Sequence, residues 1–285
     1  MKFGVNVPIF GEYADVRLLA ELAVEAEASG WDGFWIWDHV HWSGENDGEP
    51  RQPAVDPVVA LTMVAAATQR VRLGPMILPL ARRRPWKVAR ELATLDHLSG
   101  GRLTLGVGLG APAGLEFGDF GEPTEARVRA GRLDEGLEVM AGLWTGQPFD
   151  FTGEHYRVTR AEMLPRPVQQ PIPVWVGGEW PNRAPFRRAA RFAGVHPMLS
   201  GVPLDDQPTA IRELVDYIGG FRGRDQPFDV AYGVDTTGDG READRALVNG
   251  FAEAGVTWWM EPISHWRAPL TEIRHRIRRG PPGAR

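Results

Sequence analysis

The chain has 285 residues, 32 basic and 37 acidic side chains, a net charge of −5 and no cysteine. The lack of cysteine excludes disulfides, thiolate nucleophiles and cysteine metal sites, and the acidic balance argues against nucleic acid as the main partner. No apolar run reaches the about 18 residues of a membrane-spanning helix, and MKFGVNVPIF does not resemble a signal peptide. We therefore expect a soluble, cytoplasmic protein with no membrane partner.

In chain order, short β-rich apolar runs alternate with amphipathic helical patterns from one end of the chain to the other. The predicted strands are 3–7, 33–37, 72–78, 103–107, 173–176, 194–198, 228–233 and 256–260. The predicted helices are 15–28, 57–69, 86–98, 126–144, 183–192, 205–220, 241–254 and 269–278. Eight such units in roughly 250 residues predict an α/β fold, a (β/α)8 TIM barrel. The rival open, doubly wound sheet would carry a glycine fingerprint after its first strand, and none is present there.

Two segments are longer than the connections that a strand–helix repeat requires. Residues 38–55 form a long polar loop after the second strand, and residues 146–172 form an insertion between helix 4 and strand 5 that contains the β-like stretch FDFTGEHYRV. Long insertions in compact barrels are commonly functional. We expect a single domain over 1–285, with a frayed basic tail at 279–285.

The stretch GFWIWDHVHW, residues 33–42, ends a buried strand in a cluster of titratable side chains. In a barrel the carboxyl ends of all strands meet at one rim, so Asp38 and His39 are predicted to lie at its mouth. The other strand ends would contribute Asn6, Met76, Ile77, Gly106, Gly108, Gly177, Gly178, His196 and Glu261. Glycines, imidazoles and nearby tryptophans suit a large flat ligand better than a bare ion.

A metal site is the alternative interpretation of the His39-x-His41 pair. A catalytic metal needs about three protein ligands and an open position, and His196 and Glu261 would have to complete the set. The pair also follows the second strand, whereas metal-dependent barrel hydrolases carry it after the first. We predict no metal, and we expect His41 only to hydrogen-bond the long loop.

The stretch VWVGGEWPNRAPFRRAAR, from residue 174, ends a strand in two glycines and then enters a helix. Free N–H groups at a helix start and guanidinium groups are suited to a phosphate, so Arg183 and Arg187 are candidate ligands. Arg188 and Arg191 are expected on a solvated helix face. The basic run ARRRPWK, residues 81–87, is expected to be surface charge, and the alternative is that a polyanionic ligand tail uses it.

A set of segments resembles the bacterial luciferase-like family of flavin- and deazaflavin-dependent oxidoreductases. The central block is RVRLGPMILPLARRRPWKVARELATLDHLSGGRLTLGVGLG at 70–110. RLDEGLEVMAGLWTG, FTGEHYRV, LPRPVQQPIPVWVGG, RRAARFAGV and EAGVTWWMEPI continue the resemblance in order to residue 263. The match covers nearly the whole chain, and the ordered set is more specific than any single motif.

This resemblance implies a (β/α)8 barrel that binds coenzyme F-420 or reduced FMN, with F-420 preferred, usually as a homodimer. A flavin reductase or F-420-reducing partner would supply the reduced coenzyme. His39 would polarise or protonate the substrate, Asp38 would fix its tautomer, and Trp42 would line the site. Gly177 and Gly178 would bind the phosphate. Met76–Ile77 would form a bulge that carries a non-proline cis peptide bond in the F-420 branch.

The implied activity is hydride transfer at ring carbon 5 with F-420, or oxygenation of a small organic substrate with FMN. Glu261 is a further catalytic candidate. Sugar-phosphate-oxidising members carry a carboxylate where this chain has Leu109, which argues against that substrate class. The alternatives are a metal-dependent barrel hydrolase and a non-catalytic flavin-binding barrel.

Overall fold

The computed structural model describes residues 1–43, 50–223 and 226–282. The strands are β1 (Lys2–Val7), β2 (Gly33–Ile36), β3 (Arg72–Pro75), β4 (Leu78–Pro79), β5 (Leu105–Gly108), β6 (Phe149–Thr152), β7 (Arg157–Ala161), β8 (Val174–Glu179), β9 (Gly194–Met198), β10 (Asp229–Tyr232) and β11 (Trp258–Pro262). The helices are α1 (Val16–Ala28), α2 (Pro57–Ala67), α3 (Pro85–Ser99), α4 (Ala113–Glu116), α5 (Ala126–Trp144), α6 (Arg183–Ala189), α7 (Gln207–Gly219), α8 (Glu242–Glu253) and α9 (Leu270–Arg278). Residues 44–49 of the predicted polar loop and 283–285 of the predicted tail lie outside the described residues.

Local sequence signals determine where several helices begin and end. The side chain of Asp15 accepts a hydrogen bond from the Arg17 N–H at the start of α1, and Asp56 caps α2 through the Val59 N–H. Such caps satisfy backbone donors that the first helical turn leaves unpaired. Gly100 ends α3 in the left-handed conformation, with φ of 66°, which glycine adopts without steric cost.

The sheet confirms the predicted barrel. Its hydrogen-bonded order is β3-β2-β1-β11-β10-β9-β8-β5-β4, and every pair in it is parallel. The predicted third strand is divided into β3 and β4, which flank Met76 and Ile77. A parallel bridge between Leu73 and Leu103 joins β3 to the chain that enters β5, and this bridge closes the barrel.

The predicted insertion contains an antiparallel hairpin of β6 and β7. Glu135 on α5 accepts hydrogen bonds from the backbone N–H groups of Glu154, His155 and Tyr156 at 2.7–2.9 Å. These bonds hold the hairpin turn against the outer surface of the barrel. None of the described helices is long and apolar enough to cross a membrane.

Side chains alternate along each strand between two separate cores, as the period of two requires. Leu, Val, Ile and Ala side chains pack between the strands and the surrounding helices. A smaller cluster fills the barrel interior and consists of Trp35, Met76, Trp175, Ala231, Trp258 and Met260. The parity of a residue within its strand therefore decides whether its side chain points into the barrel or towards the helices.

Candidate active site

A cavity of about 530 Å³ opens at the carboxyl ends of the strands. It is lined by Asn6, Trp37, Asp38, His39, Met76, Ile77, Pro79, Leu109, Gly110, Ala111, Arg129, Gly177, Gly178, Glu179, Asn182, Pro185, His196 and Met198. The sequence predicted eight of these residues at the mouth: Asn6, Asp38, His39, Met76, Ile77, Gly177, Gly178 and His196. Ligand sites of this size with a mainly apolar lining and a few polar groups are typical of small-molecule enzymes.

One wall of the cavity is formed by the bulge at Met76 and Ile77, whose peptide bond is cis as the resemblance implied. Glycines let this bulge approach the neighbouring strands. A Cβ atom on Gly108 would lie 2.0 Å from Cδ1 of Ile77, and one on Gly177 would lie 2.8 Å from Cγ2 of Ile77. Gly106 lies behind the bulge, against the carbonyl of Pro75, rather than on the cavity surface. The result is an apolar shelf that fits one face of a planar ring.

His39 lies at the cavity and donates from Nδ1 to Oε1 of Glu116 at 3.1 Å. Glu116, in α4, also accepts a hydrogen bond from the backbone N–H of Val40 and pairs with Arg82. Burial by itself would raise the pKa of Glu116, but the hydrogen bond from His39 and the charge of Arg82 outweigh it, so the pKa is lowered. An ionised Glu116 holds the proton on Nδ1, so Nε2 of His39 is the nitrogen left for a ligand.

The prediction that Asp38 fixes the tautomer of His39 is wrong. Asp38 pairs with Arg82 and accepts hydrogen bonds from Nη2 of Arg83 at 2.9 and 3.0 Å. The adjacent side chains of Asp38 and His39 point in different directions. The carboxylate that orients His39 is instead Glu116, which follows β5. Two residues of the run at 81–87, expected to be surface charge, are instead largely buried partners of this network, with Arg82 6% exposed.

His196 extends from β9 into the cavity and donates from Nδ1 to the carbonyl of Ala231 at 2.8 Å. Burial lowers the pKa of His196 below its usual 6.5. The ring is therefore neutral at pH 7, with Nε2 as a hydrogen-bond acceptor. The structure thus places His196 in the lining of the cavity.

Glu261 does not lie at the cavity, so its predicted catalytic role is contradicted. Its side chain is completely buried and binds Arg267, Arg276, Thr236 and the indole N–H of Trp259. Trp258 and Met260 of the same strand face the barrel interior, so the alternate residue Glu261 faces the helices. Its role is structural.

Arg183 and Arg187 are exposed and are not among the residues that line the cavity. The guanidinium carbon of Arg183 lies 4.1 Å from the ring centroid of Trp180 and 4.5 Å from that of Tyr217. The predicted phosphate contacts of both arginines are therefore not supported. Arg188, expected in solvent, instead forms a two-point ion pair with Asp134 on α5.

Trp42 does not line the cavity directly but packs against its catalytic candidate. Its ring centroid lies 4.8 Å from that of His39, and it stacks on Phe10 at 4.7 Å. His41 donates from Nε2 to the carbonyl of Leu115 at 3.0 Å, so its partner lies in α4 and not, as expected, in the long loop.

The geometry gives no support to the metal-dependent hydrolase. Among the described ranges, no group of three or more His, Asp or Glu side chains is placed to hold a metal ion. His39, His196 and Glu261 each use polar atoms in bonds to other protein groups, and Glu261 faces away from the cavity.

Several cavity residues were missed by the sequence interpretation, notably Trp37, Glu179 and Met198, together with Glu116 beneath His39. Trp37, Glu179 and Met198 lie two positions after Trp35, Gly177 and His196, respectively. Alternate residues of a strand point to the same face, so this spacing would have predicted them. Arg129 reaches the cavity from α5 and has no such signal.

The fold and cavity define a parallel (β/α)8 barrel with a histidine and an apolar ring-sized shelf at its mouth. Residues 1–236 match the family model of luciferase-like monooxygenases. An F420-dependent glucose-6-phosphate dehydrogenase from Nakamurella multipartita is 39% identical over 182 residues, which cover 61% of this chain and 50% of that protein. The chain thus spans about half the length of that relative.

An uncharacterised protein of Mycobacterium bovis, Mb0965c, is 30% identical over 278 residues, which cover 92% of both chains. The solved structure of an F420-dependent secondary alcohol dehydrogenase in complex with an F420-acetone adduct superposes with a TM-score of 0.77 at 18% identity, covering 100% of this chain and 99% of that one. At that identity the likeness shows the fold. The chain belongs to the luciferase-like monooxygenase family.

Proposed function

We propose that this protein is an oxidoreductase that uses coenzyme F-420 to transfer a hydride to or from a small organic substrate. The observation that carries the proposal is His39, held by the ionised Glu116 beside an apolar shelf of ring size. The relative from Nakamurella multipartita, named as F420-dependent, supports F-420 over FMN.

The coenzyme would lie with its ring on Met76 and Ile77. The buried Oδ1 of Asn6 has no hydrogen-bond partner among the described residues, and Nε2 of His196 is an unprotonated acceptor at the same cavity. Gly177 and Gly178 would approach the phosphorylated tail, because both line the cavity and carry no side chain. When bound, F-420 supplies a two-electron hydride acceptor or donor at one ring carbon.

His39 would exchange the proton at the reacting substrate oxygen. Its Nε2 is the nitrogen that Glu116 leaves available, and Glu116 restrains the ring so that this nitrogen keeps one direction. An imidazole placed in this way can act as a general acid or a general base. Asp38 and Glu116, clamped by Arg82 and Arg83, form the rigid support beneath it.

The chain would act as a homodimer in the cytoplasm, and a separate F-420-reducing enzyme would regenerate the coenzyme. Helix α2 supports the dimer, because it carries no charged residue and leaves Val59 58% and Met63 41% exposed. A helix that is apolar on all sides is usually covered by protein. Light scattering of the purified chain should give twice the mass of one copy, and Val59→Glu should give monomers.

The direct test is to titrate the purified protein with F-420 and with FMN and to follow the fluorescence of each. We expect F-420 to bind with a Kd in the low micromolar range or tighter, and FMN more weakly. Indifference to both would refute the proposal. Tight F-420 binding with no redox cycling against any electron donor or acceptor would indicate the non-catalytic barrel instead.

A further inference from the structure

Arg129 is a buried cation that no carboxylate neutralises. It lies on α5, is 7% exposed and belongs to the lining of the cavity at the strand ends. Burial lowers the pKa of Arg129, and no acidic group among the described residues opposes that effect. The guanidinium is still protonated at pH 7, because its usual pKa is above about 12. A buried charge without a counter-charge is costly, so the cavity offers one positive charge to an anionic ligand.

Two of the three guanidinium nitrogens of Arg129 are engaged with the protein. Nη1 donates to the carbonyls of Leu109 and Gly110 at 2.8 Å each, and Nε donates to the carbonyl of Thr124 at 3.2 Å. The guanidinium carbon also lies 4.9 Å from the ring centroid of Phe117. These contacts hold the group in place. Nη2 forms no hydrogen bond with any described residue, so its two N–H groups are left for a ligand.

Arg129 lies next to the place proposed above for the coenzyme phosphate. It binds the carbonyl of Leu109, which directly follows β5, and β5 pairs in parallel with β8. Gly177 and Gly178 stand at the end of β8, and a Cβ atom on Gly108 would lie 3.5 Å from the carbonyl oxygen of Gly177. The guanidinium and the two glycines therefore occupy neighbouring strand ends of one cavity. A guanidinium fork is well suited to bind a phosphate there.

The cavity lining offers a phosphate only one positive side chain. Arg129 is the one arginine or lysine among the described residues that line it. Of the acidic residues in the lining, Asp38 is already paired with two arginines. Glu179 accepts hydrogen bonds from the N–H of Ser200 at 2.7 Å and from its hydroxyl at 3.1 Å, and it is paired with no cation among the described residues. A second negative charge on a phosphate would have no partner and would share the cavity with this carboxylate.

We propose that Arg129 selects the coenzyme by the charge of its phosphate and favours a phosphodiester over a phosphomonoester. This inference rests on the function proposed above and specifies which coenzyme phosphate fits the site. The phosphate of F-420 is a diester with a single negative charge, which one guanidinium neutralises. The phosphate of FMN is a monoester with a charge of about −1.5 to −2 at pH 7, so part of its charge stays unpaired in the cavity.

The first experiment measures what each phosphate adds to binding, by fluorescence titration of the purified protein. It pairs F-420 with its deazaflavin chromophore that lacks the phosphorylated tail (F-O), and FMN with riboflavin, so that differences between the rings cancel. We expect F-420 to bind at least about tenfold tighter than F-O, the scale of one hydrogen bond to a charged group, and FMN no tighter than riboflavin. Equal gains from the two phosphates overturn this inference alone. Binding of the flavins with neither F-420 nor F-O bound refutes the proposed coenzyme as well.

The second experiment changes the charge of the FMN phosphate and leaves the protein sequence as it is. The second pKa of a phosphomonoester is about 6, so its singly charged fraction rises about 25-fold from about pH 7.5 to about pH 5.5. We expect the Kd of FMN, divided by that of riboflavin, to fall by a factor that approaches this value, and the ratio of F-420 to F-O to stay constant. Riboflavin corrects for the titration of His39, His196, Asp38 and Glu179, which line the same cavity. A ratio of FMN to riboflavin that does not change with pH contradicts the proposal.

The third experiment removes the positive charge with Arg129→Gln. We expect the Kd of F-420 to rise at least about tenfold, to the value for F-O, while the Kd of F-O does not change. A purely structural role for Arg129 would weaken both ligands equally, and that result contradicts the assignment. Arg183→Gln is the matched control, since Arg183 is exposed and lies outside the cavity lining, and it should leave all four Kd values unchanged. Should Arg129→Gln fail to fold, by circular dichroism, the two comparisons on the wild-type protein decide the question.

Discussion

Two buried carboxylate networks lie at the carboxyl ends of strands. They differ in whether they leave a polar atom available to a ligand at the cavity. In the first, Asp38 and Glu116 are clamped by Arg82 and Arg83, and Glu116 also holds His39, whose Nε2 remains available at the cavity. In the second, Glu261 is bound on all sides and faces the helices.

The second network satisfies its members with one another. Oε1 and Oε2 of Glu261 accept from Thr236, Trp259, Arg267 and Arg276. None of these five residues lines the cavity at the strand ends. A charged residue at the end of a barrel strand is thus a weak sign of chemistry by itself, and an unpaired polar atom at the cavity is the stronger sign.

The largest effect that separates the networks is expected from His39→Ala in the F-420-loaded protein. Loss of the proton-exchanging group should lower kcat by about 10²–10⁴-fold, while the Kd for F-420 stays the same. Steady-state kinetics and a fluorescence titration measure the two quantities. His275→Ala, on the exposed face of α9, is the control. A kcat equal to that of the wild type would remove His39 from the mechanism.

Glu261→Gln should affect stability and leave catalysis alone. The change leaves the buried Arg276, which is 5% exposed, without its anion, and leaves Arg267 with Asp235 at 3.5 Å as its remaining carboxylate partner. Breaking a buried ion pair from one side costs about 3–5 kcal/mol, so the free energy of unfolding in urea should fall by that amount. A folded variant with a reduced kcat would show that the two networks do not divide as described.

Glu116→Gln should lower both the stability and kcat, each by a smaller amount than the two preceding variants. The amide retains a hydrogen bond to His39 but loses its charge towards Arg82, which keeps Asp38 as a partner. We expect a loss of about 1.5–3 kcal/mol in unfolding free energy and about a tenfold fall in kcat with KM unchanged. If kcat does not change while stability falls, Glu116 belongs with Glu261 as a purely structural group.

The smallest effect concerns the acid side of the stability profile. Because burial lowers the pKa of His196, the unfolded chain binds a proton near pH 6.5 before the folded chain does. Stability present above pH 6.5 is therefore lost progressively as the pH falls below it. His196→Gln lacks this titration, so its Tm should fall less than that of the wild type between about pH 7.5 and pH 5.5. Parallel Tm profiles would contradict the burial effect.

Most strands and helices of the barrel could be predicted from the sequence, because the patterns that specify them are local. Apolar runs, helical spacing and end residues such as Asp56 and Gly100 act within a few positions of the chain, and the structure has strands and helices where these patterns predicted them. The mouth residues were found by the rule that the strand ends converge. The error at Glu261 arose because that rule ignores parity, which assigns alternate residues to opposite faces.

The sequence by itself determined the alternation of strands and helices, the family and the position of His39 at a strand end, since each depends on neighbours in the chain or on an ordered set of motifs. The tertiary structure alone decided that Glu116, 77 residues away, forms a hydrogen bond with His39. It also decided that Arg82 and Arg83 form ion pairs with Asp38. Those pairings depend on which loops the barrel brings together at its rim. No local pattern encodes the distance between side chains from different strands.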